Sequence, residues 1–237
     1  MPEHDARQHP VAIITGGGSG IGLATATRLA ALGWRLVLAG RNPYKLAEAA
    51  KQLGSEAIAV PTHVEKPEEA ARMIDRAIDH FGSLDALVNN AGLAPLVPIA
   101  ETTPELIAEC FAINAMGPAY AIAKAWPHFV RQNRGCIVNI STMGTDDPFP
   151  GFLAYASSKA AVNVMAKSCA AEGAEHNIRA FAIAPGAVET EMLRSIFDEK
   201  TIPKDETMHP DEVAAVVVDC ILGNRDADNG KTIFMPG

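Results

Sequence analysis

A tyrosine and a lysine four residues apart are the side chains of this sequence best suited to acid–base chemistry. In the segment YASSK, Tyr155 and Lys159 would lie one turn apart on the same face of a helix. A free tyrosine has a pKa of about 10 and is a weak base at neutral pH. A cation about 4 Å away supplies roughly 4 kcal/mol, enough to lower that pKa by about three. The pair therefore predicts a proton-exchanging phenol, although an exposed amphipathic helix would carry the same spacing by chance.

A glycine-rich loop near the start of the chain is suited to binding a pyrophosphate. Residues 15–22 read TGGGSGIG and lie between an apolar run and a helical stretch. Glycines let the backbone turn tightly and approach an anion, and a helix N-terminus offers free N–H groups and the positive end of its dipole. An ordinary glycine-rich turn is the alternative interpretation. The strand before the loop and the helix after it favour dinucleotide binding.

Short apolar runs alternate with helical stretches along the chain and would position these groups. The predicted strands are 11–15, 35–39, 57–61, 84–89, 136–141, 178–183 and 232–235. The predicted helices are 21–32, 43–53, 67–80, a long one from 103 to before 135, 154–175 and 211–222. This alternation predicts an α/β fold with a single Rossmann-like doubly wound parallel sheet and helices on both faces. We expect a polar tail at 1–10, one domain at 11–237 and a flap at about 192–208.

The glycine spacing TGxxxGxG, the segment NNAG at 89–92 and YxxxK at 155–159 resemble the short-chain dehydrogenase/reductase family. A segment after the sixth predicted strand is similar to the family's PGxxxTxM. The resemblance implies an NAD(P)-dependent oxidoreductase that interconverts a carbonyl and a secondary alcohol by hydride transfer, with Tyr155 as the acid/base. It assigns cofactor binding to Gly16, Ser19, Gly20, Ile21, Gly22, Asn90, Ala91, Gly92, Tyr155, Lys159, Pro185, Gly186, Val188 and Thr190.

The same resemblance implies further catalytic residues. Asn114 matches the family's asparagine that bends the long helix and holds a water in a proton relay. The family's serine lies about thirteen residues before the tyrosine, a register that falls on Thr142, whereas the serine itself is Ser141. Either hydroxyl could bind the substrate oxygen and the developing alkoxide, or satisfy backbone groups at a strand end. Both stay candidates, with a slight preference for Thr142.

The end of the second predicted strand decides between the two nicotinamide cofactors. An NAD enzyme usually has a carboxylate there for the ribose hydroxyls, but this chain has Gly40 and Arg41. A guanidinium paired with a 2′-phosphate contributes about 1.5–3 kcal/mol, roughly 10- to 150-fold in affinity. We therefore expect NADP(H) to be favoured, with NAD(H) and a solvated or adenine-stacked Arg41 as the alternative. His63 departs from the aspartate that the family often places against adenine.

Composition argues against several classes of protein and site. The net charge of −8 does not suit a phosphate backbone or an anionic membrane surface. No run of about 18 apolar residues and no apolar leader is evident, so we expect a cytoplasmic protein without a membrane span. The cysteines form no CxxC pair, which predicts reduced, buried thiols and no metal site, at Cys110, Cys136, Cys169 and Cys220.

The expected partners are a small carbonyl or alcohol substrate and further copies of the chain. The pocket is predicted to be lined by residues 94–97, Met143, 147–152 and the flap, which are largely apolar. The alanine-rich helix 154–175 and the long helix resemble those by which the family forms homodimers or homotetramers. An inactive cofactor-binding regulator or scaffold of the same fold is the alternative function, supported by the shifted serine register and His63.

Overall fold

The computed structural model describes residues 9–236, so the predicted polar tail lies outside the described residues up to residue 8. Within this described part, seven parallel strands form one sheet in the order β3-β2-β1-β4-β5-β6-β7. Their bounds are β1 Val11–Thr15, β2 Arg35–Gly40, β3 Ala57–Pro61, β4 Ala86–Asn89, β5 Gly135–Ile140, β6 Ile178–Pro185 and β7 Thr232–Met235. The doubly wound parallel sheet predicted from the alternation of elements is confirmed.

Eight α-helices connect these strands within the described part of the chain. They are α1 Gly20–Ala31, α2 Pro43–Leu53, α3 Pro67–Phe81, α4 Pro104–Phe111, α5 Gly117–Gln132, α6 Leu153–Gly173, α7 Glu191–Arg194 and α8 Pro210–Leu222. Four of them begin at a proline, which has the φ angle of a helix and needs no hydrogen-bond partner for its nitrogen at that position. The predicted long helix is divided by a π-helical turn, Ala112–Met116.

The helices cover both faces of the sheet and completely bury its central strands β1, β4 and β5. One apolar cluster lies between the sheet and α1, α2 and α8, and includes Leu29, Leu46 and Val213. The second lies between the other face and α3, α5 and α6, and includes Met73 and Phe129. Each large apolar side chain removed from water stabilises the fold by about 1.5–3 kcal/mol. Burial on both faces explains why the strands are continuous apolar runs rather than alternating ones.

The strand order places a crevice at the carboxyl ends of β1 and β4. The chain builds the sheet outward from β1 to β3, then returns to β4 on the other side of β1. In such sheets, the loops at this reversal diverge and leave room for a ligand. The glycine loop follows β1 and the segment NNAG includes the end of β4, so both predicted cofactor segments meet there.

Some element boundaries differ from the prediction. The fourth strand begins at Ala86 rather than residue 84, and β6 continues to Pro185, which pairs in register with Met235. By length and composition alone, the stretch Pro104–Gln132 could cross a membrane. A core helix passes the same test, and Ala125 and Phe129 are fully buried in the second cluster, so this is weak evidence for a span. All four cysteines are free and buried, as predicted.

Candidate active site

A cavity of about 490 Å³ at the crevice brings together most of the predicted site residues. It runs from the end of β2 along the glycine loop to the first turn of α6 and the flap. Of the predicted set, only Gly22 and Asn114 do not line it; both lie behind its wall. The predicted residues that line it are Gly16, Ser19, Gly20, Ile21, Arg41, Asn90, Ala91, Gly92, Ser141, Thr142, Tyr155, Lys159, Pro185, Gly186, Val188 and Thr190.

The glycine loop closes on itself so tightly that two of its glycines have no room for a side chain. A Cβ on Gly22 would lie 2.3 Å from the Gly16 carbonyl oxygen, and one on Gly16 would lie 2.7 Å from Nδ2 of Asn90. Gly16 also has a φ of 66°, which side chains disfavour. Gly22 therefore shapes the loop from behind. Ser19 is the N-cap residue of α1 but does not use its side chain to cap the helix.

A threonine that the sequence argument did not single out fixes the loop after β4. Oγ1 of Thr15 accepts hydrogen bonds from the backbone N–H groups of Asn90 (2.9 Å) and Ala91 (3.0 Å). In return, Nδ2 of Asn90 donates to the Thr15 carbonyl oxygen at 2.9 Å. These bonds join the two loops at the crevice. Thr15 is the first letter of the glycine motif, and that position was the available signal.

The tyrosine and lysine lie one turn apart on α6, as their spacing predicts. Nζ of Lys159 donates a 2.7 Å hydrogen bond to the Ile140 carbonyl oxygen, at the end of β5. Only 4% of Lys159 is exposed, and this burial lowers its pKa to about 8. An ammonium group with that pKa is still mostly protonated at pH 7.

The pKa of the Tyr155 phenol shifts in the direction opposite to the expected one. Burial raises it to about 12, and the neighbouring Thr142 side chain opposes that rise. Lys159 directs its hydrogen bond at Ile140, so its charge does not outweigh the desolvation of the phenol. The expected lowering relies on Lys159 together with the positive charge of an oxidised nicotinamide, and it stays a prediction.

The two candidate hydroxyls point in different directions. The Thr142 side chain faces Tyr155 across the cavity wall, and its Oγ1 accepts from the Gly144 backbone N–H at 3.2 Å. The Ser141 hydroxyl instead donates to the Lys159 carbonyl oxygen at 3.4 Å. Thr142 is thus the hydroxyl beside the phenol, whereas Ser141 braces α6.

Asn114 lies in the π-helical turn and is fully buried. Its Oδ1 accepts from the Leu93 N–H at 2.8 Å, and its Nδ2 donates to the Leu93 carbonyl oxygen at 2.7 Å. The same Nδ2 donates to Oγ of Ser158 at 3.0 Å, next to Lys159 on α6. The amide thereby holds the loop after NNAG against the helix that carries the tyrosine and lysine. Ser158, inside the YASSK segment, was missed from the sequence.

Aromatic rings line the other end of the cavity. The Phe152 ring lies edge-on to Tyr155 at 5.1 Å between centroids. Phe149 contacts Phe152 at 6.0 Å and Phe197 of the flap at 6.2 Å. The predicted apolar wall at 147–152 therefore continues into the flap, and a substrate held beside Tyr155 would meet an apolar surface.

The flap is closed at its base and held by an ion pair. The backbone N–H of Met208 donates to Ala187, and that of Glu189 donates to Met208, both at 2.9 Å. Arg194 on α7 pairs with the Glu189 carboxylate and lowers its pKa. Arg194 also donates to the Ile202 carbonyl oxygen at 2.8 Å, across the flap. These bonds give the predicted flap a defined conformation.

The end of the cavity near β2 carries two cations, of which the sequence argument named one. Arg41 is exposed, lines the cavity and makes no ion pair with any residue of 9–236. Lys45, missed from the sequence, also lines the cavity and pairs with Glu191 at 2.5 Å. The His63 ring turns to Glu65 at 3.0 Å and does not line the cavity, whereas Glu65 does.

The chain is similar in sequence and structure to several known reductases. The sequence model of the short chain dehydrogenase family matches residues 10–201. Versicolorin reductase of Emericella nidulans is 31% identical over 207 residues, 86% of this chain and 78% of that protein. A diacetyl reductase, (S)-acetoin forming, of Staphylococcus epidermidis is 33% identical over 201 residues, 83% and 78%. The 3-ketoacyl-(acyl-carrier-protein) reductase of Brucella melitensis, complexed with NADH, has a TM-score of 0.90 at 28% identity, covering 95% of this chain and 96% of that one.

Proposed function

Because the chain belongs to the short-chain dehydrogenase family, we propose that it is an NADP(H)-preferring oxidoreductase for small carbonyl compounds or secondary alcohols, with Tyr155 as the acid/base. One observation carries the proposal. The side chains of Tyr155, Thr142 and Lys159 meet on one wall of the cavity whose other end is the glycine loop. A redox cofactor and a proton donor would thus face the same substrate carbon and oxygen.

The groove has the shape and donor groups that a dinucleotide needs. The N-terminus of α1 lies at this groove, and the side chain of its N-cap residue, Ser19, makes no capping hydrogen bond. The backbone N–H groups there suit a pyrophosphate. Oε2 of Glu65 finds no hydrogen-bond partner within residues 9–236, and an acceptor on this wall suits the amino group of an adenine. A carboxylate two positions after His63 would then take the place of the family's aspartate.

The residues of the catalytic end divide the chemistry among them. When bound, the nicotinamide supplies or accepts the hydride at the substrate carbon. Thr142 orients the substrate oxygen, and Tyr155 donates a proton to it during reduction or removes one during oxidation. Lys159 supplies a positive charge on the same cavity wall, one helical turn from Tyr155, and Asn114 positions α6 through Ser158. Stabilisation of the charge that develops on the substrate oxygen is the main source of rate.

Arg41 supports the preference for NADP(H). It is an exposed guanidinium on the cavity wall directly after β2, where a carboxylate would repel a 2′-phosphate. The cavity wall at this point also includes Gly40 and Asn42, neither of which is charged.

We propose further that the chain acts as a homodimer or homotetramer. Apolar side chains lie exposed on the outer helices, Ile107 on α4 and Leu153 and Val164 on α6, with Met116 between α4 and α5. Exposed apolar groups on neighbouring helices are typical of subunit interfaces. Phe149, which lines the cavity, is exposed and suits a small apolar substrate.

The test combines cofactor titration with turnover of small ketones and diketones. The purified protein is titrated with NADPH and NADH by nicotinamide fluorescence, and NADPH is expected to bind at least about tenfold more tightly. Tyr155→Phe is then expected to keep cofactor binding but to lose more than about 100-fold in kcat. Tyr44→Phe, on an exposed tyrosine away from the phenol, is the matched control.

Each contrary result selects a different alternative. Cofactor binding without turnover of any substrate, and without an effect of Tyr155→Phe, would favour the regulator or scaffold. Tighter binding of NADH would reject the role of Arg41 while leaving the reductase in place.

A further inference from the structure

We propose that Lys45 is a second specificity residue for NADP(H). When this cofactor binds, the Lys45 ammonium group breaks its ion pair with Glu191 and forms one with the 2′-phosphate. The proposal rests on the proposed nicotinamide site. The proposal has a consequence for the flap. Binding of NADP(H) frees the N-terminus of α7 from α2, whereas binding of NAD(H) leaves the Lys45–Glu191 ion pair in place.

The Lys45–Glu191 pair spans the glycine loop. Lys45 is in the first turn of α2, and its Cβ lies 3.3 Å from where a Cβ on Gly18 would be. On the other side of the loop, the Thr190 side chain lies 3.1 Å from where a Cβ on Gly20 would be, and Glu191 follows it as the first residue of α7. The 2.5 Å contact between Nζ and Oε2 therefore joins the two sides of the groove.

The pair is placed to be exchanged rather than to stabilise the fold. The side chains are 44% and 74% exposed, and exposed ion pairs contribute little to stability. A phosphate monoester carries between one and two negative charges and three acceptor oxygens, against a single charge on Glu191. Arg41 and the N-terminus of α2 add positive potential at the same end of the cavity. A 2′-phosphate there competes well for Lys45, and a ribose hydroxyl does not.

Loss of this contact would act on the flap. Among the ion pairs within residues 9–236, it alone links α7 to the side of the groove that α2 forms. The ion pair of Arg194 with Glu189 and the backbone bonds at Met208 lie within the flap and its base, and Phe197 also contacts Phe149. They would keep the flap folded while its first turn becomes free of α2.

The first test is a double-mutant cycle with parallel NADPH and NADH fluorescence titrations. Lys45→Gln is expected to weaken NADPH by about tenfold or more and NADH by less than about twofold. Glu191→Gln is expected to tighten NADPH severalfold, because it removes the competing carboxylate, and to have no such effect in the Lys45→Gln background. Lys51→Gln, an exposed lysine on the same helix outside the cavity, is the matched control and should change neither affinity.

The second test follows hydrogen exchange in residues 190–208 with each cofactor at saturation. The proposal expects faster exchange near Glu191 with NADPH than with NADH, and no difference in Lys45→Gln. Equal losses of both cofactors in Lys45→Gln, an unchanged NADPH affinity, or equal exchange rates would overturn it and leave the reductase intact. Failure of the unmutated protein to bind either cofactor would reject the proposed function and this inference with it.

Discussion

The two ends of the cavity are held in place by different means. At the glycine loop, backbone atoms approach so closely that Gly16 and Gly22 have no room for a Cβ, and the fastening bonds run from Thr15 and Asn90 to main-chain groups. At α6, buried side chains make the fastening bonds, and Lys159 carries a charge out of water to do so. Close backbone packing therefore determines the conformation of the glycine-loop end. The α6 end depends on a buried charge, which is costly to remove from water.

The largest expected effect tests the claim about shape. Gly22→Ala puts a Cβ 2.3 Å from a carbonyl oxygen, so the loop must move. We expect a loss of about 3 kcal/mol or more in the free energy of unfolding, and loss of binding of both cofactors. Gly18→Ala is the control in the same loop, because its Cβ would lie 3.3 Å from the Lys45 Cβ and at least 3.4 Å from the backbone of Lys45 and Leu46. Urea unfolding measures both, and equal stabilities would contradict the comparison.

The next effect tests the cost of charge at the catalytic end. The pKa of Lys159 falls from 10.5 to about 8, so its burial costs about 3 kcal/mol at pH 7, partly offset by about 1 kcal/mol from its hydrogen bond. Lys159→Met should therefore raise the free energy of unfolding by about 2 kcal/mol at pH 7 while abolishing turnover.

The pH dependence of the stability difference between Lys159→Met and the original protein tests whether the buried charge is its cause. A folded pKa below the unfolded one means that the unfolded chain binds more protons between pH 8 and 10.5. Relative to Lys159→Met, the original protein should therefore gain stability as the pH rises through this window. Titrations that the two proteins share, such as that of the buried Tyr155 phenol, cancel in this difference. The advantage of the variant should vanish by about pH 10, and one that stays constant would show that charge is not its cause.

The smallest expected effect concerns the flap, which shares features of both ends. Arg194→Gln removes the ion pair with Glu189 and the bond to Ile202 but leaves the backbone bonds at the base. We expect KM for the carbonyl substrate to rise severalfold with little change in cofactor affinity. Lys204→Gln, which breaks an exposed flap pair with Glu199, is the control. A larger rise in KM for Lys204→Gln than for Arg194→Gln would show that the Arg194–Glu189 ion pair is not what orders the flap.

The fold followed from the sequence because its signals are local. Apolar runs mark the strands, and prolines mark the first turns of α2, α3, α4 and α8. The π-helical turn around Asn114 has no such signal, since the residues there suit an ordinary helix equally well. The extension of β6 to Pro185 depends on pairing with Met235, fifty residues later in the chain.

The site residues, too, separate into those with a local sequence signal and those whose contacts depend on the folded chain. The motifs identified which residues would line the cavity, because motif positions are tied to strand ends. They did not reveal that the Ser141 hydroxyl donates to the Lys159 carbonyl oxygen while the Thr142 side chain faces Tyr155, which depends on side-chain orientation after β5. Lys45 and Glu191 are 146 residues apart, so their contact is invisible until the chain is folded.

The backbone bonds at the base of the flap make residues 190–207 a replaceable cassette. Because Val188 and Met208 are bridged, the two points of attachment stay side by side whatever the chain between them does. Doubling the length of a flexible loop with fixed ends costs only about 0.6 kcal/mol. Insertions, deletions and grafts between these anchors can therefore reshape the entrance to the cavity, in evolution or in the laboratory, without disturbing the sheet or α6, the helix that carries Tyr155 and Lys159.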